Sequence, residues 1–210
     1  GVQQVATWKD ALMRVRDLLD AAGRKDPASV RMLVSAHASH EEMYLLKRLA
    51  EDLKGDAAAS HVHVAWRRTE KQQPATTKFR VAAVDAPNVN GARDLGLAVI
   101  GDGDADLSGL RAAIDQDRVA VLYVLDPGPD GSMGDFTWLV EARKSGRVPV
   151  IVYQGVLQTE LAKIADVVLP GAAWVEKDAT YTNDQGMVQA ASKAINAPGE
   201  AVEDWQILTS

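Results

Sequence analysis

Short, continuous apolar runs alternate along this chain with stretches in which apolar residues return every three or four positions. Trp8, Leu12, Val15, Leu19 and Ala22 form one such helical stripe. Thr7 is placed to cap that helix and Gly23 to end it. Residues 30–35 are a run suited to a buried strand. Ser39 and Glu42 have capping-box spacing, and Met43, Leu46, Leu49, Ala50 and Leu53 follow on one face up to Gly55. Further strands are predicted at residues 61–66, 97–100, 119–125, 148–153 and 167–169. Further helices are predicted at residues 107–114, 136–143 (closed by Gly146) and 159–164. The polar stretch 67–78, with Pro74, is a loop.

Continuous apolar strands alternating with helices predict an α/β fold. Its sheet is mostly parallel, doubly wound and Rossmann-like, with helices on both faces. After Pro170 the periodicity stops. The chain therefore divides into an α/β domain over residues 1–170 and an irregular segment over residues 171–210. That segment is expected to wrap across the sheet and be anchored by Trp174 and Trp205.

Composition narrows the functions open to such a fold. Hydrophobic residues make up 47% and charged residues 25% of 210 residues, enough for a packed core under a solvated surface. The net charge of -6 argues against a nucleic-acid partner held through phosphates. Cysteine is absent, which removes disulfides, thiolate zinc sites and cysteine-held iron–sulfur clusters from this stretch. No apolar run approaches the roughly 20 residues needed to span a bilayer, so no direct membrane insertion is expected. Gly1 stands where a start methionine would, and we read it as a boundary inside a longer polypeptide.

Candidate chemistry is sparse. His37 and His40 flank a helix start, and His61 and His63 alternate on a strand; capping and exposed surface positions account for them better than a metal site. Asp102, Asp104 and Asp106 alternate, but Leu107 and Ala113 occupy positions where a calcium loop needs glycine and glutamate. Gly101 and Gly103 begin a dinucleotide-type turn, yet Asp106 replaces its third glycine, and three aspartates would repel a pyrophosphate. The loop from Asp126 to Gly131 follows the clearest strand and is placed for a ligand, but it offers no base, nucleophile or anion cradle, and Ser132 has no evident histidine partner. No catalytic residue and no metal ligand is assigned.

One stretch says more. ADVVLPGAAWVEKDATYTNDQGMVQ, residues 165–189, resembles the A-D-x-V-L-P…E-K-x-G-T-[FY]-x-N-x-E-G-R-x-Q segment of the molybdopterin oxidoreductase superfamily. Thr159 and Glu160 resemble its T-E lead-in, PNVNGARDLG its N-x-x-G-A turn, and APGEAVEDWQIL its E-D-W ending. Within the superfamily the wording is most similar to the large iron–sulfur subunit of respiratory NADH:quinone oxidoreductase. That resemblance implies a structural and docking domain with no cofactor of its own. Iron–sulfur clusters would lie in N-terminal domains of the same chain, and the partners would be other subunits of a respiratory complex. The complex would be cytoplasmic and peripheral to the cell membrane. The alternative is the cofactor-binding domain of a catalytic molybdopterin enzyme such as a formate dehydrogenase, for which the resemblance offers Thr159 and Asn183 as cofactor-binding candidates. Two departures stand out: Ala179 replaces the glycine after E-K-x, and Gln185-Gly186-Met187 replaces E-G-R. An arginine there could pair with an anionic cofactor; Met187 cannot. In the segment itself, Lys177 is expected to pair locally with Glu176 and Asp178, and Asn183 and Gly186 to form a turn.

Overall fold

The computed structural model describes residues 3–54, 61–78, 81–97 and 105–210. In chain order these form α1 (Trp8–Lys25), β1 (Val30–Ser35), α2 (His40–Lys54), β2 (Val62–Ala65), α3 (Val89–Asp94), α4 (Ser108–Asp115), β3 (Val121–Asp126), α5 (Thr137–Lys144), β4 (Val150–Gly155), α6 (Glu160–Ile164) and β5 (Val167–Pro170). Three elements follow: β6 (Ala179–Thr182), β7 (Val188–Ala191) and α7 (Asp204–Leu208).

Strand alternation sorts the core into two layers. On one face Met32, Val34, Val121, Tyr123 and Leu125 pack with Val15 and Leu19 of α1, Met43 and Leu46 of α2, and Ile207 of α7. On the other, Leu33, Leu122, Val124 and Ile151 pack with Leu110 and Ile114 of α4, Leu139 of α5 and Leu161 of α6. Both faces are thus buried, which is why these strands are continuously apolar. The five strands are ordered β2-β1-β3-β4-β5, every pair is parallel, and the fold is the expected doubly wound α/β sheet. The order reverses between β1 and β3, so a crevice opens at the carboxyl ends of these two strands.

Several local expectations hold and others do not. Thr7 caps α1 by accepting from the Asp10 amide, and the Ser39–Glu42 capping box closes the start of α2 from both sides. Gly23 does not end α1, which runs on to Lys25. Its missing Cβ instead leaves room for Leu53 of α2, whose Cδ2 would lie 3.0 Å from it. His61 and His63 are buried rather than exposed, at 7% and 5% of their accessible surface. The strand expected over residues 97–100, the helix end at Gly55 and the turn from Gly101 to Asp104 fall outside the described residues, Leu97 apart. Beyond Pro170 the chain is more regular than its pattern indicates, since β6 and β7 form an antiparallel hairpin and α7 follows. Among the described residues no helix is long and apolar enough to cross a membrane.

Candidate functional site: a roofed cleft at the sheet's switch point

The loops that leave the carboxyl ends of the strands, together with the hairpin, enclose a cleft of about 1020 Å³. His37, just beyond β1, forms one wall; Pro127, Gly128 and Pro129, beyond β3, form the floor. Val156 and Leu157 continue it beyond β4, and Trp174, Tyr181, Asn183 and Gln189 of the C-terminal segment roof it. The β3 loop is packed tightly enough that a Cβ on Gly128 would come within 2.6 Å of Ser132 Oγ and 2.9 Å of His37 Cγ.

Beneath that floor lies a buried polar knot. Ser132 donates to Asp126 Oδ1 at 2.9 Å, and the Gly128 amide reaches the same oxygen at 3.3 Å. Burial pushes the Asp126 carboxyl up to about 6, against the downward pull of Ser132 and Gly128. Ser132 Oγ also lies 3.3 Å from Ser35 Oγ. His37 Nε2 is 2.9 Å from the Asp85 carbonyl oxygen, so it orders a loop instead of activating Ser132. The knot shapes the floor.

The roof is held by a second, deeper network. Lys177 is fully buried, and its ammonium lies 2.8 Å from Asp204 Oδ2 on one side and ion-pairs with Glu42 Oε1 on the other. Glu42 and Asp204 are themselves fully buried. Gln154, the polar residue that interrupts the apolar run of β4, donates to Asp204 Oδ1 at 2.8 Å and accepts from the Tyr123 hydroxyl. Glu42 Oε2 takes the Ser39 amide at 2.9 Å. Gly171 makes room for Asp204, because a Cβ there would come within 2.2 Å of Oδ1. Burial alone would lower the Lys177 pKa, but Glu42 and Asp204 hold it above the ordinary lysine range. Burial is also the largest influence on Glu42; it pushes the carboxyl up to about 7 with help from Asp204, while Lys177 pulls the other way. Burial likewise drives the Tyr181 phenol up to about 12.

This network corrects two expectations about the segment. Lys177 pairs across the fold and not with its neighbours Glu176 and Asp178. Trp174 and Trp205 are not the anchors: they remain 67% and 37% exposed. The hairpin adds further ties. Thr180 binds both oxygens of Glu41, at 2.7 and 3.1 Å, Thr182 Oγ1 lies 2.9 Å from His40 Nε2, and the Thr182 amide donates to Asn88 at 2.8 Å.

The two residues singled out by resemblance are placed apart. Asn183 lines the cleft, but its Oδ1 accepts from the Gln185 and Met187 amides at 2.9 and 3.0 Å, which builds the hairpin turn. Gly186 takes the left-handed conformation there, with φ of 76°, as the turn chemistry predicts. Thr159 lines a separate pocket of about 430 Å³ beside Asp126, and it caps α6 by accepting from the Ala162 amide at 3.2 Å. Met187 is 52% exposed. Asp106 Oδ1 accepts from the amide of Ser108, the first residue of α4, at 2.9 Å, a local turn leading into the helix. No three His, Asp or Glu side chains among the described residues converge as a metal-binding group.

Sequence reasoning missed Gln154, Asp204 and Tyr181, and saw Glu42 as a capping residue without its ion pair. Gln154 was the most visible signal, an amide at the fifth position of an otherwise apolar strand. A buried polar side chain in such a place needs a partner, and its partner is Asp204.

Comparison with known proteins gives these features a family context. The family model described as molybdopterin oxidoreductase matches residues 88–210. The F420-dependent formate dehydrogenase subunit alpha of Methanocaldococcus jannaschii is 46% identical over 91 residues, which is 43% of this chain and 13% of that protein. The NADH-ubiquinone oxidoreductase 75 kDa subunit of Reclinomonas americana is 55% identical over 58 residues, 28% of this chain and 8% of that protein. The 78 kDa subunit of Neurospora crassa is 45% identical over 78 residues, 35% of this chain and 10% of that protein. Among solved structures, acetylene hydratase from Pelobacter acetylenicus aligns over 57% of this chain and 17% of its own, with 19% identity and a TM-score of 0.41. The chain therefore spans 8–13% of the length of the curated relatives it matches.

Proposed function

The chain belongs to the molybdopterin oxidoreductase family, and within it we propose that this domain is a structural and docking domain of an NADH:quinone oxidoreductase subunit, in which the cleft carries no pterin cofactor. The observation that carries this reading is the chemistry of the cleft. A pterin dinucleotide brings a pyrophosphate, which needs cationic side chains or free backbone amides aimed at it. Among the described lining residues there is no lysine or arginine, and the charged one is Asp184. The start of α2, the helix nearest His37, carries Glu41 and Glu42, and its Ser39 and Glu42 amides are already taken by the capping box. The Gly128 amide is engaged by Asp126. These residues do not fit an anionic dinucleotide.

On this reading the electron carriers are iron–sulfur clusters held by other domains of the same polypeptide, and the partners are the remaining subunits of a membrane-peripheral complex. The likeness to the 75 and 78 kDa subunits supports it. A second reading is the cofactor-binding domain of a formate dehydrogenase. Two observations favour it: the size and switch-point position of the cleft, and the longer match to the formate dehydrogenase subunits. The two are separated by affinity-tagging the full-length polypeptide in its own cells. Co-purification of NADH-dependent quinone reduction is expected; co-purification of formate oxidation without it would favour the second reading.

A further inference from the structure

We propose that Glu42, Lys177 and Asp204 form a one-proton latch: when their shared proton is lost, the C-terminal segment loosens from over the cleft. The geometry is that of two carboxylates and one ammonium, with all three side chains no more than 1% exposed. Fully ionised, the trio carries a net negative charge inside the core, which desolvation penalises heavily. Holding one proton on Glu42 makes the trio neutral and leaves its hydrogen bonds in place: the Ser39 amide to Glu42, Lys177 to Asp204, and Gln154 to Asp204. A trio of this composition is thus a proton-binding site by its charge count alone.

What it latches follows from where its members sit. Glu42 belongs to α2, on the body of the domain, whereas Lys177 and Asp204 bracket the stretch that carries the roof residues Tyr181, Asn183 and Gln189. Deprotonation adds a second full negative charge against one ammonium, so it weakens the joint between body and roof and leaves the sheet's own apolar layers untouched.

Other charged and titratable groups lie on the elements packed around the trio. From the hairpin there is Tyr181, whose phenol is held neutral across the working range, and from β3 there is Tyr123, whose pKa burial also raises. On α2 itself Glu41 is held ionised, since hydrogen bonds from Thr180 outweigh its burial. His40, beside it, bonds Thr180 and Thr182 and is the imidazole that a competing explanation would invoke. From α3, Asp94 reaches Thr182 Oγ1 at 3.1 Å.

The latch would work alike in either of the two proposed oxidoreductases. The latch is tested by amide hydrogen exchange, read by mass spectrometry and corrected for intrinsic rates, between about pH 5.5 and pH 8.5. Peptides covering residues 171–208 should exchange roughly tenfold faster at the higher pH, while peptides from β1 and β3 should not change. Glu42→Gln, a neutral mimic of the protonated trio, should abolish the pH dependence, and His40→Gln should preserve it. Carboxyl carbon NMR of the wild-type protein gives a second measurement that needs no variant: Glu42 should titrate near neutrality. Exchange of the segment that ignores pH, dependence that survives Glu42→Gln or vanishes in His40→Gln, or a Glu42 carboxyl ionised throughout would each overturn the latch.

Discussion

In β3, five successive residues from Val121 to Leu125 are buried, and helices cover them on both sides. The segment from residue 171 onward is attached differently. Its buried hydrophobic residues are Ala172, Ala179 and Ile207, and beside them it buries Lys177, Thr182 and Asp204. Ile207 aside, Trp174, Met187, Val188 and Ile195 among its larger apolar groups are exposed. The sheet is therefore held by area removed from water, which is non-directional and indifferent to pH. The roof is held by a buried ionic joint and by the hydrogen bonds of Thr180 and Thr182, all directional, and the joint depends on the charge of its members. Two attachments of such different kinds should fail under different insults.

The largest expected effect is on the joint. Lys177→Met leaves two buried carboxylates without their cation, and breaking a buried pair in this way costs about 3–5 kcal/mol. For a domain of this size that lowers the thermal midpoint by roughly 10 °C. Limited proteolysis should cut the variant within residues 171–208 before it cuts the sheet; simultaneous loss of both would mean that the two regions are one cooperative unit. Leu122→Ala in the second core layer should cost about 2–5 kcal/mol. It should weaken sheet and roof together, because the roof has no other floor. Urea unfolding followed by tryptophan fluorescence and by circular dichroism would show one transition for Leu122→Ala and two for Lys177→Met.

The comparison is sharpened by pH. The folded Glu42 carboxyl binds its proton more tightly than the unfolded one, about 7 against 4.5. The stabilisation it brings is therefore complete below about pH 4.5 and is lost as pH rises through 7, an effect on the order of 3 kcal/mol. His63 has the opposite sign. Burial, with Arg31 and His61 nearby, lowers it to about 4 from 6.5, so stability rises as pH climbs between those values. The two windows overlap and oppose each other between about pH 4.5 and 6.5, so Glu42→Gln should make stability rise more steeply with pH there and remove the descent approaching pH 7. An unchanged descent would assign it to another group. The smallest effect is expected at the roof's surface. Trp174→Ala should change stability by less than about 0.5 kcal/mol, since the ring is mostly exposed.

The contrast also explains what could be read in advance. The sheet was legible because each strand announces itself locally: the run 30–35 is β1 as predicted, and the Ser39–Glu42 spacing is the capping box observed. The hairpin turn at Asn183 and Gly186 was legible for the same reason, since its bonds close within a few residues. Lys177 was misjudged because charge attracts charge at any sequence separation, and Glu176 and Asp178 were nearest along the chain. Its partners are 135 positions upstream (Glu42) and 27 downstream (Asp204). Trp174 and Trp205 were misjudged because large apolar residues in polar sequence look like anchors, whereas Trp174 here lines the roof of the cleft. Of the cleft, the β3 loop could be placed from strand order alone, but the roof could not, because it depends on the buried joint.

The charges of this region are invested in holding the roof, and the described lining of the cleft is left without a cation. The measurement that tests this most directly is the molybdenum and tungsten content of the full-length protein, purified from its own cells and read beside its iron content. Iron from clusters elsewhere in the polypeptide is expected, with no molybdenum or tungsten above background. One equivalent of either metal with a bound pterin would contradict it and assign the cleft to a cofactor.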